Sequence, residues 1–301
     1  MAPGAETRCG FIAVIGIPNA GKSTLVNRLV GSKVSIVSHK VQTTRSPVRG
    51  IAIEGVSQLV FIDTPGIFAP RRRLDRAMVD AAWGGADGAD IVVLLIDAAR
   101  GLDEAVEAIL AKLAGAKAPL VLALNKIDRV KKESLLELTR QCSERVSFAA
   151  TFMISALNGD GVGDLKLYLA GTVAPGPWHY PPDEISDAPL RVLAAEITRE
   201  KIFERLHEEL PYETTVETTS WQERKKAVRI EQTIYVERDS QKAIVLGNGG
   251  RMIRQLSMEA RHELARILEK PVHLFLFVKV REGWGNDPER YRDLGLTFPK
   301  D

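Results

Sequence analysis

The chain has 301 residues, of which 45% are hydrophobic and 27% are charged, and its formal net charge at pH 7 is +2. This length suffices for two domains, and the balanced charge excludes a protein that binds nucleic acid or membranes by bulk electrostatic attraction. The two cysteines, Cys9 and Cys142, lack metal-binding or redox spacing, which indicates a reducing compartment. With no stretch typical of a membrane span or signal peptide, we expect a soluble cytoplasmic protein.

The first predicted elements are a strand, a glycine-bounded loop and a helix. An apolar run at 11–15 precedes the sequence Gly-Ile-Pro-Asn-Ala-Gly-Lys-Ser-Thr, and an amphipathic segment at 25–30 follows it. A G-x-x-x-x-G-K-[ST] phosphate loop requires this context, because N–H groups at the helix N-terminus surround the phosphates. Lys22 would add a full charge, and the Ser23 hydroxyl could bind Mg²⁺. The nucleotide-binding candidates in this loop are Gly16, Pro18, Asn19, Ala20, Gly21, Lys22, Ser23 and Thr24.

Segment 34–47 has no helical periodicity and ends in a proline, so we expect an exposed loop. It contains two adjacent threonines, Thr43 and Thr44. A hydroxyl from such a loop can complete Mg²⁺ coordination and sense the γ-phosphate, so that the loop is ordered in only one nucleotide state.

A buried strand predicted at 58–62 ends in Asp63-Thr64-Pro65-Gly66. A carboxylate at this position can hold Mg²⁺ through water, and the Gly66 N–H can bind the γ-phosphate. The metal ligands that the sequence predicts are Ser23, Asp63 and one of the two threonines, with Thr43 and Thr44 both open at this point.

After a strand at 90–97 and a helix at 103–114, a further apolar strand ends in Asn125-Lys126-Ile127-Asp128. The Asp128 carboxylate can accept hydrogen bonds from guanine N1–H and the exocyclic amine, two donors that adenine lacks on that edge. We expect Asn125 to connect this loop to the phosphate loop, and the stem of Lys126 to cover the base.

One more strand, predicted at 149–154, ends in Ser155, Ala156 and Leu157, where a backbone N–H can bind guanine O6. Each motif therefore follows the C-terminal end of a strand, which is where an open α/β sheet binds its ligands. We predict an α/β domain with a doubly wound, mostly parallel sheet that binds GTP and GDP.

Five prolines between 172 and 189 indicate a linker, and the pattern of elements changes after it. The predicted division is a flexible tail at 1–8, a nucleotide-binding domain at 9–174, a proline-rich linker at 175–189 and a second domain at 190–301. The second domain is predicted to be α+β, with a helix at 190–209, strands near 214–220 and 227–236, a short apolar segment at 242–246, a long helix ending near 269 and a strand at 272–280.

The second domain contains a G-x-x-G turn that opens the long helix. In KH domains such a turn clamps about four nucleotides of single-stranded RNA, because glycines admit the RNA backbone closely. Lysine and arginine equal aspartate and glutamate over 187–301 (20 each), but 242–270 has six basic and three acidic residues. Basic charge is thus local to the turn, and we expect Val245 and Ile253 to form apolar groove walls. The RNA-binding candidates are Gly247, Asn248, Gly249, Gly250, Arg251, Ile253, Arg254 and Arg261.

Together these motifs resemble those of the Era-type GTPases, a family of translation-factor-related GTPases with a C-terminal KH domain. The shared sequences are G-x-P-N-x-G-K-S at 16–23, T-T-R at 43–45, D-T-P-G at 63–66, N-K-x-D at 125–128 and S-A at 155–156. The second domain is similar to the family's KH domain at 271–274, 278–280, 283–284 and 294–295. The resemblance implies a P-loop GTPase domain followed by a type II-like KH domain.

The same resemblance implies GTP hydrolysis, with Lys22, Thr44, Asp63 and Gly66 at the reacting phosphate and Thr44 as the Mg²⁺-sensing threonine. It also implies binding of single-stranded RNA near the 3′ end of 16S rRNA and assistance in assembly of the 30S subunit. Peripheral association with the inner face of the cell membrane is compatible with it. We expect a monomer that does not bind DNA.

Two positions depart from related sequences. Ras-like enzymes position the attacking water with a glutamine directly after the D-x-x-G motif, and this chain has Ile67 there, so we expect slow turnover. The Asn19 amide oxygen could instead hold a potassium ion near the phosphates. Many relatives have lysine at the third position of G-x-x-G, where this chain has Gly249, which removes one phosphate contact.

Two other classes of function fit the sequence less well. A nucleotide-regulated membrane or cell-division switch would need a segment with one long apolar face and one basic face, which the sequence lacks. An ATPase or kinase would not need the Asp128 carboxylate, and no acceptor-substrate motif is present.

Overall fold

The computed structural model describes residues 6–299, so most of the predicted tail at 1–8 lies outside the described residues. Two units divide the chain. Of the described residues, 6–35, 44–187 and 294–299 form the first unit, and 36–43 and 188–293 form the second. No helix within 6–299 has both the length and the apolar character that crossing a membrane requires.

The first unit is built on a six-stranded sheet. Its elements are β1 (Arg8–Ile15), α1 (Lys22–Val30), β2 (Val48–Glu54), β3 (Ser57–Asp63), α2 (Arg73–Asp87), β4 (Ile91–Asp97), α3 (Glu104–Leu113), β5 (Leu120–Asn125), α4 (Lys132–Ser143), β6 (Ala150–Ile154) and α5 (Val162–Thr172). The strand order is β2-β3-β1-β4-β5-β6, and only the β2–β3 pair is antiparallel. This is the predicted doubly wound, mostly parallel sheet.

Burial along the strands explains this architecture. Strands β3 and β5 are buried at every residue, as expected for strands covered on both faces. Their apolar side chains join one core with those of β1, β4 and the inner faces of the helices. The strand register places Val14 beside Asp63, and Asn125 beside Asp97 and Ile154, so the strand ends that carry the motifs share one edge of the sheet.

The second unit has the α-β-β-α-α-β order of a type II KH domain. Its elements are α6 (Leu190–Arg205), β7 (Thr215–Arg224), β8 (Ala227–Val236), α7 (Asp239–Leu246), α8 (Arg251–Ile267), β9 (Val272–Val280) and a final short helix, α9 (Pro288–Asp293). The sheet order is β7-β8-β9, with β7–β8 antiparallel and β8–β9 parallel. The short apolar segment at 242–246 forms the end of α7, and α6 ends four residues earlier than predicted.

The residues predicted to form a proline-rich linker are packed against the first unit. Trp178 Nε1 donates to the Val56 carbonyl at 3.0 Å, and the backbone N–H groups of His179 and Tyr180 donate to Gln58 Oε1. At the start of the chain, the Thr7 hydroxyl donates to the Gly176 carbonyl at 2.8 Å. Residues 7 and 8 and most of 175–189 thus belong structurally to the first unit, because polar contacts along β3 fix them.

Candidate functional site

The lysine of the phosphate loop is hydrogen-bonded to backbone carbonyls of the same loop. Lys22 Nζ donates to the carbonyls of Gly16 and Ile17 at 3.1 and 3.0 Å. The side chain is buried, which lowers the pKa of Lys22 to about 8, although the nearby Asp63 opposes this shift. Gly21 has a φ of 103°, and a Cβ atom there would lie 2.3 Å from Asn125 Nδ2, so only glycine fits. Pro18, Asn19 and Ala20 complete the loop, and Thr24 lies in the first turn of α1.

Two hydroxyl groups and one carboxylate meet beside this loop. Ser23 Oγ donates to Asp63 Oδ2 at 2.7 Å, and the Ser23 and Thr44 hydroxyls are 2.9 Å apart. Thr44 Oγ1 also lies 3.3 Å from Asp63 Oδ2. Thr43 is not part of this cluster, because its hydroxyl donates to the Lys40 carbonyl at 2.8 Å. The structure therefore brings together Ser23, Thr44 and Asp63 from the predicted set.

The chemistry of this cluster suits Mg²⁺, which prefers oxygen ligands and a carboxylate. Among the described residues, Asp63 Oδ1 is buried and has no hydrogen bond of normal geometry, although the buried Ser35 hydroxyl lies close enough to this carboxylate to help lower its pKa. A buried carboxylate oxygen in that state is costly unless an ion or water satisfies it. Burial raises the pKa of Asp63, and the Ser23 hydrogen bond and the charge of Lys22 oppose that shift. A divalent cation would satisfy Asp63 Oδ1 and favour the charged carboxylate.

The turn after β3 packs directly on the phosphate loop. The Ile67 N–H donates to the Gly16 carbonyl at 3.1 Å, and the Thr64 hydroxyl donates to the Val14 carbonyl at 2.8 Å. A Cβ atom on Gly66 would lie 2.7 Å from the Pro18 side chain, so this close approach requires glycine. The Ile67 side chain is buried and carries no polar atom. Nothing at position 67 can orient a water molecule.

The loops after β5 and β6 are connected to the phosphate loop and to each other. Asn125 Nδ2 donates to the Ala20 carbonyl at 2.7 Å, and the Ala156 N–H donates to Asn125 Oδ1 at 2.9 Å. The Ser155 hydroxyl donates to Asp128 Oδ1 at 2.6 Å, which fixes the orientation of that carboxylate. Asn125 thus connects all three loops.

Two residues outside the motifs, Asp97 and Arg28, also position this site. Lys126 Nζ lies 2.6 Å from Asp97 Oδ2 and donates to the Asn19 carbonyl at 2.8 Å. On α1, Arg28 donates to the carbonyls of Ala156 and Leu157. Asp97 could have been predicted as a site residue from the sequence, because it is a polar residue at the end of an apolar strand. Arg28 could not have been predicted in this way, because its hydrogen-bond partners are about 130 residues away in the chain.

The middle of the predicted exposed loop groups with the second unit. The Val37 N–H donates to Glu200 Oε1 on α6 at 2.7 Å. Lys40 Nζ donates to the carbonyls of Phe203 and Leu206, and Arg199 donates to the Thr43 carbonyl. Residues 36–43 are therefore anchored to α6 by charged side chains, whereas Thr44 belongs to the first unit.

In the G-x-x-G turn, Gly247, Gly249 and Gly250 all have positive φ, and a Cβ atom on Gly247 would lie 2.7 Å from that of Met252. Arg254 donates to the Gly249 carbonyl at 2.6 Å, and Arg251 donates to the Asn248 carbonyl at 3.3 Å. The turn is thereby held by the arginines that follow it.

The remaining predicted groove residues are placed differently. Ile253 is half-buried, whereas Val245 is fully buried in the core, so the expectation that Val245 forms a groove wall was wrong. Val245 faces inward because 242–246 is helical and this side chain packs among Ile202, Leu256 and their neighbours. Arg261 is exposed, but it lies ten residues along α8, about 15 Å from the turn at 1.5 Å per residue.

Comparisons with known proteins agree with this arrangement. Residues 11–126 match the family model described as 50S ribosome-binding GTPase, and residues 209–285 match the KH domain model. The chain is 63% identical over 300 residues to GTPase Era of a Bradyrhizobium species, covering 99% of this chain and 97% of that protein. Its identity to the Rhizobium meliloti GTPase Era is 64% over 300 residues, covering 99% and 96%.

Two solved structures share the whole architecture. One is Era in complex with MgGDPNP and nucleotides 1506–1542 of 16S ribosomal RNA, with a TM-score of 0.91 and 35% identity over 96% of this chain and 99% of that one. The other is a tyrosine-to-alanine variant of Aquifex aeolicus Era bound to GDP·AlF4⁻, with a TM-score of 0.90 and 34% identity over 96% and 99%. With both domains, their order and nearly its full length matched, the chain belongs to the Era family of GTPases.

Proposed function

We propose that this GTPase is a GTP-controlled switch that binds single-stranded RNA near the 3′ end of 16S rRNA and assists assembly of the 30S subunit. The observation that carries the proposal is the presence, in one chain, of connected base-selecting loops and a G-x-x-G turn held open by its own arginines. The Era structure solved with MgGDPNP and 16S rRNA nucleotides supports the same pairing of ligands.

We assign the guanine base to Asp128, Lys126 and the N–H groups of the loop that contains Ser155, Ala156 and Leu157. We assign the phosphates to the loop at 16–24. To reach them, Lys22 must break its hydrogen bonds to the carbonyls of Gly16 and Ile17. The Gly66 N–H, at a turn packed on Pro18, would bind the γ-phosphate.

Ser23, Thr44 and Asp63 would hold Mg²⁺. When bound, the ion supplies positive charge at the β- and γ-phosphates. Thr44 adjoins a segment anchored to the second unit, so binding of its hydroxyl at the metal would restrain residues 36–43 as well.

Hydrolysis by this chain should be slow without a partner. Ile67 contributes only its N–H, which is bonded to Gly16. The attacking water must therefore be oriented by backbone groups, by Thr44 or by a group supplied by another molecule. We regard the chain as a switch more than as a metabolic catalyst.

Potassium is the candidate for the missing positive charge at the transferred phosphate. Asn19 has a positive φ of 64°, and Lys126 Nζ donates to its carbonyl, so the position of this residue within the phosphate loop is fixed. Hydrolysis should be faster in potassium than in sodium, and Asn19→Ala should remove the difference. Equal rates in both salts, unchanged by Asn19→Ala, would eliminate this role.

RNA binding is assigned to the G-x-x-G turn, Arg251, Arg254 and the half-buried Ile253, with Arg261 contacting more distant phosphates. The turn presents backbone N–H groups and no side chain that blocks close approach. We further propose a cytoplasmic monomer with two folding domains, in which most of 175–189 is part of the nucleotide-binding domain and not a free linker, and with peripheral membrane association as a secondary property.

The decisive experiment is cross-linking of the protein loaded with a GTP analogue to cellular RNA, followed by sequencing of the trapped fragments. Fragments should be enriched at the 3′ end of 16S rRNA and depleted when the protein is loaded with GDP. Even coverage of all transcripts in both nucleotide states would contradict the proposal. Asn248→Asp places a negative charge in the turn and serves as the negative control, because it should remove the enrichment of 16S rRNA fragments.

A further inference from the structure

Of the nine phenylalanines in the chain, only Phe275 and Phe277 are exposed, at 42% and 49%. Both lie on β9, two residues apart, so they share one face of the strand. The alternate residues of β9, such as Leu274 and Leu276, pack against the cores beneath the helices. Both phenyl rings therefore project from the outer face of the sheet. Large exposed apolar side chains placed together commonly indicate a binding surface.

Basic residues surround the two rings. Arg229 lies beside His273 in the β8–β9 register, and its guanidinium carbon is 4.5 Å from the centroid of the Phe275 ring. At the other end of β9, Lys279 projects from the same face as the rings. We refer to Arg229, His273, Phe275, Phe277 and Lys279 as the outer aromatic surface.

The charge beside this surface is positive. Arg224 at the end of β7 and Lys225 and Lys226 in the turn to β8 are exposed, and they outnumber the one exposed acidic neighbour, Glu223. This turn adjoins the end of the sheet where Arg229 and His273 lie. Glu231, which lies on β8 opposite Phe275, is paired with Arg229 at 2.7 Å, so Lys279 and the basic residues at the β7–β8 turn carry the net positive charge beside the rings.

On the β8 side, the outer aromatic surface is bounded by the short helix α9. Arg290 lies 4.6 Å from the centroid of the Tyr235 ring and pairs with Glu217 at 2.7 Å. Tyr235 is thereby covered, whereas Phe275 and Phe277 stay open.

We propose that the outer aromatic surface is a second RNA-binding site. When the bound single strand is longer than the segment that the G-x-x-G turn can hold, its additional bases stack against Phe275 and Phe277. This inference rests on the RNA binding proposed above and extends it to a new surface. Sheets that expose aromatic rings beside basic side chains bind single-stranded nucleic acid by stacking, and every base offers a π-face to the ring.

Two features favour RNA over a protein partner. The exposed apolar groups on this face are two aromatic rings bordered by cations, whereas the centres of protein interfaces are depleted in charge. In addition, β9 is one of the two edge strands of this sheet, and α8 packs on its inner side. A strand of RNA leaving the helix side therefore needs only to cross the edge of β9 to reach the rings.

The test measures affinity of the full chain, loaded with a GTP analogue, for labelled oligonucleotides of about four and about twelve nucleotides. Phe277→Ala should weaken binding of the longer oligonucleotide about tenfold, since stacking contributes about 1–3 kcal/mol per base, and should leave the shorter one unaffected. Phe277→Leu, which keeps an apolar side chain without a π-face, should resemble Phe277→Ala. Phe277→Trp should restore affinity, and its added fluorescence should be quenched by the longer RNA.

The outcomes separate this inference from the proposed function. If the short oligonucleotide does not bind the wild-type chain, the proposed RNA-binding function itself fails. If it binds and the longer one binds no more tightly, the second site is wrong. Phe277→Leu behaving as wild type on naked RNA, while association with 30S subunits falls, would assign the surface to a protein partner and overturn the inference.

Discussion

The backbone N–H of Val37 donates a 2.7 Å hydrogen bond to Oε1 of Glu200, a carboxylate that is only 2% exposed on α6. Val37 belongs to the segment at 34–47, whose order should depend on the γ-phosphate. Lys40 adds a second anchor, because its ammonium group donates to the carbonyls of Phe203 and Leu206 at the C-terminal end of α6. Carbonyls at a helix end lack partners within the helix, so a lysine there is favourable.

Glu200→Ala should therefore weaken the dependence of RNA binding on the nucleotide. Hydrogen bonds to charged groups contribute about 1.5–3 kcal/mol, so we expect the ratio of RNA affinities with GTP analogue and GDP to fall about tenfold. Both affinities can be measured by fluorescence anisotropy. Glu200→Gln retains an acceptor oxygen and should keep most of the ratio, whereas an unchanged ratio in folded Glu200→Ala would rule out this anchor.

Asp128→Asn should change the preferred base from guanine to xanthine, because the amide can donate to the carbonyl that xanthine has in place of the amine. Loss of a hydrogen-bonded charge should lower GTP affinity by about 2–3 kcal/mol. Ser155→Ala removes only the hydroxyl that orients Asp128 at 2.6 Å, and it should cost about 1 kcal/mol without a change of base. Competition with GTP, XTP and ATP distinguishes the two, and ATP binding as tight as GTP would refute guanine selection.

Nucleotide binding should take up a proton at Lys22 in mildly alkaline solution. Burial holds the pKa of Lys22 near 8, below its usual value, so the neutral amine predominates in the free loop only above about pH 8. Contact with phosphate would raise this pKa, and near pH 8.5 about three-quarters of a proton should be taken up on binding, falling to about 0.1 near pH 7.

Calorimetry in buffers of different ionisation enthalpy measures this uptake, and Lys22→Arg, which stays charged, should abolish it. The same pKa shift sets the sign for stability. The unfolded chain binds more protons between pH 8 and about 10.4, so the cost of burying Lys22 is fully present below pH 8 and is relieved as the pH rises. Equal proton uptake by wild type and Lys22→Arg would contradict this account.

Arg28→Ala should lower GTP and GDP affinity equally, since Arg28 positions the loop at 155–157 through two carbonyls and is not placed at the phosphates. Loss of these bonds should cost about 1–2 kcal/mol, or roughly tenfold in affinity. The turnover number should change much less. Arg140→Ala is the control, because Arg140 pairs only with Glu137 and Glu144 on exposed α4 among the contacts described. A selective loss of turnover would show that Arg28 acts on the reaction instead.

Gly249→Lys should strengthen RNA binding and steepen its salt dependence by about one unit, as expected for one added phosphate contact. A Cβ atom at Gly249 meets no atom within 4 Å, but the φ of 60° makes any other residue cost about 1 kcal/mol of stability. Gly249→Gln carries the same backbone cost without the charge and is the matched control. Equal slopes of affinity against salt concentration for the two variants would exclude the contact.

The sequence was most informative about strand ends. Asp63 and Asn125 follow apolar runs of the right length, and the parallel sheet necessarily places such residues at one edge. Periodicity carried no information about partners far apart in the chain. The anchoring of Val37 to Glu200 spans 163 positions, and the packing of His179 on Gln58 spans 121. Both depend on side chains that become neighbours only after the cores have formed.

The last described residues, 294–299, return to the first unit, where the Arg73 guanidinium carbon lies 5.0 Å from the centroid of the Phe298 ring. Arg73 begins α2, the helix that follows the Asp63 turn. During synthesis from the N-terminus, the first unit can form its sheet early, but it receives this segment only after the second unit has been made. Completion of the nucleotide-binding unit is therefore coupled to synthesis of residues 294–299, which join that unit beside α2.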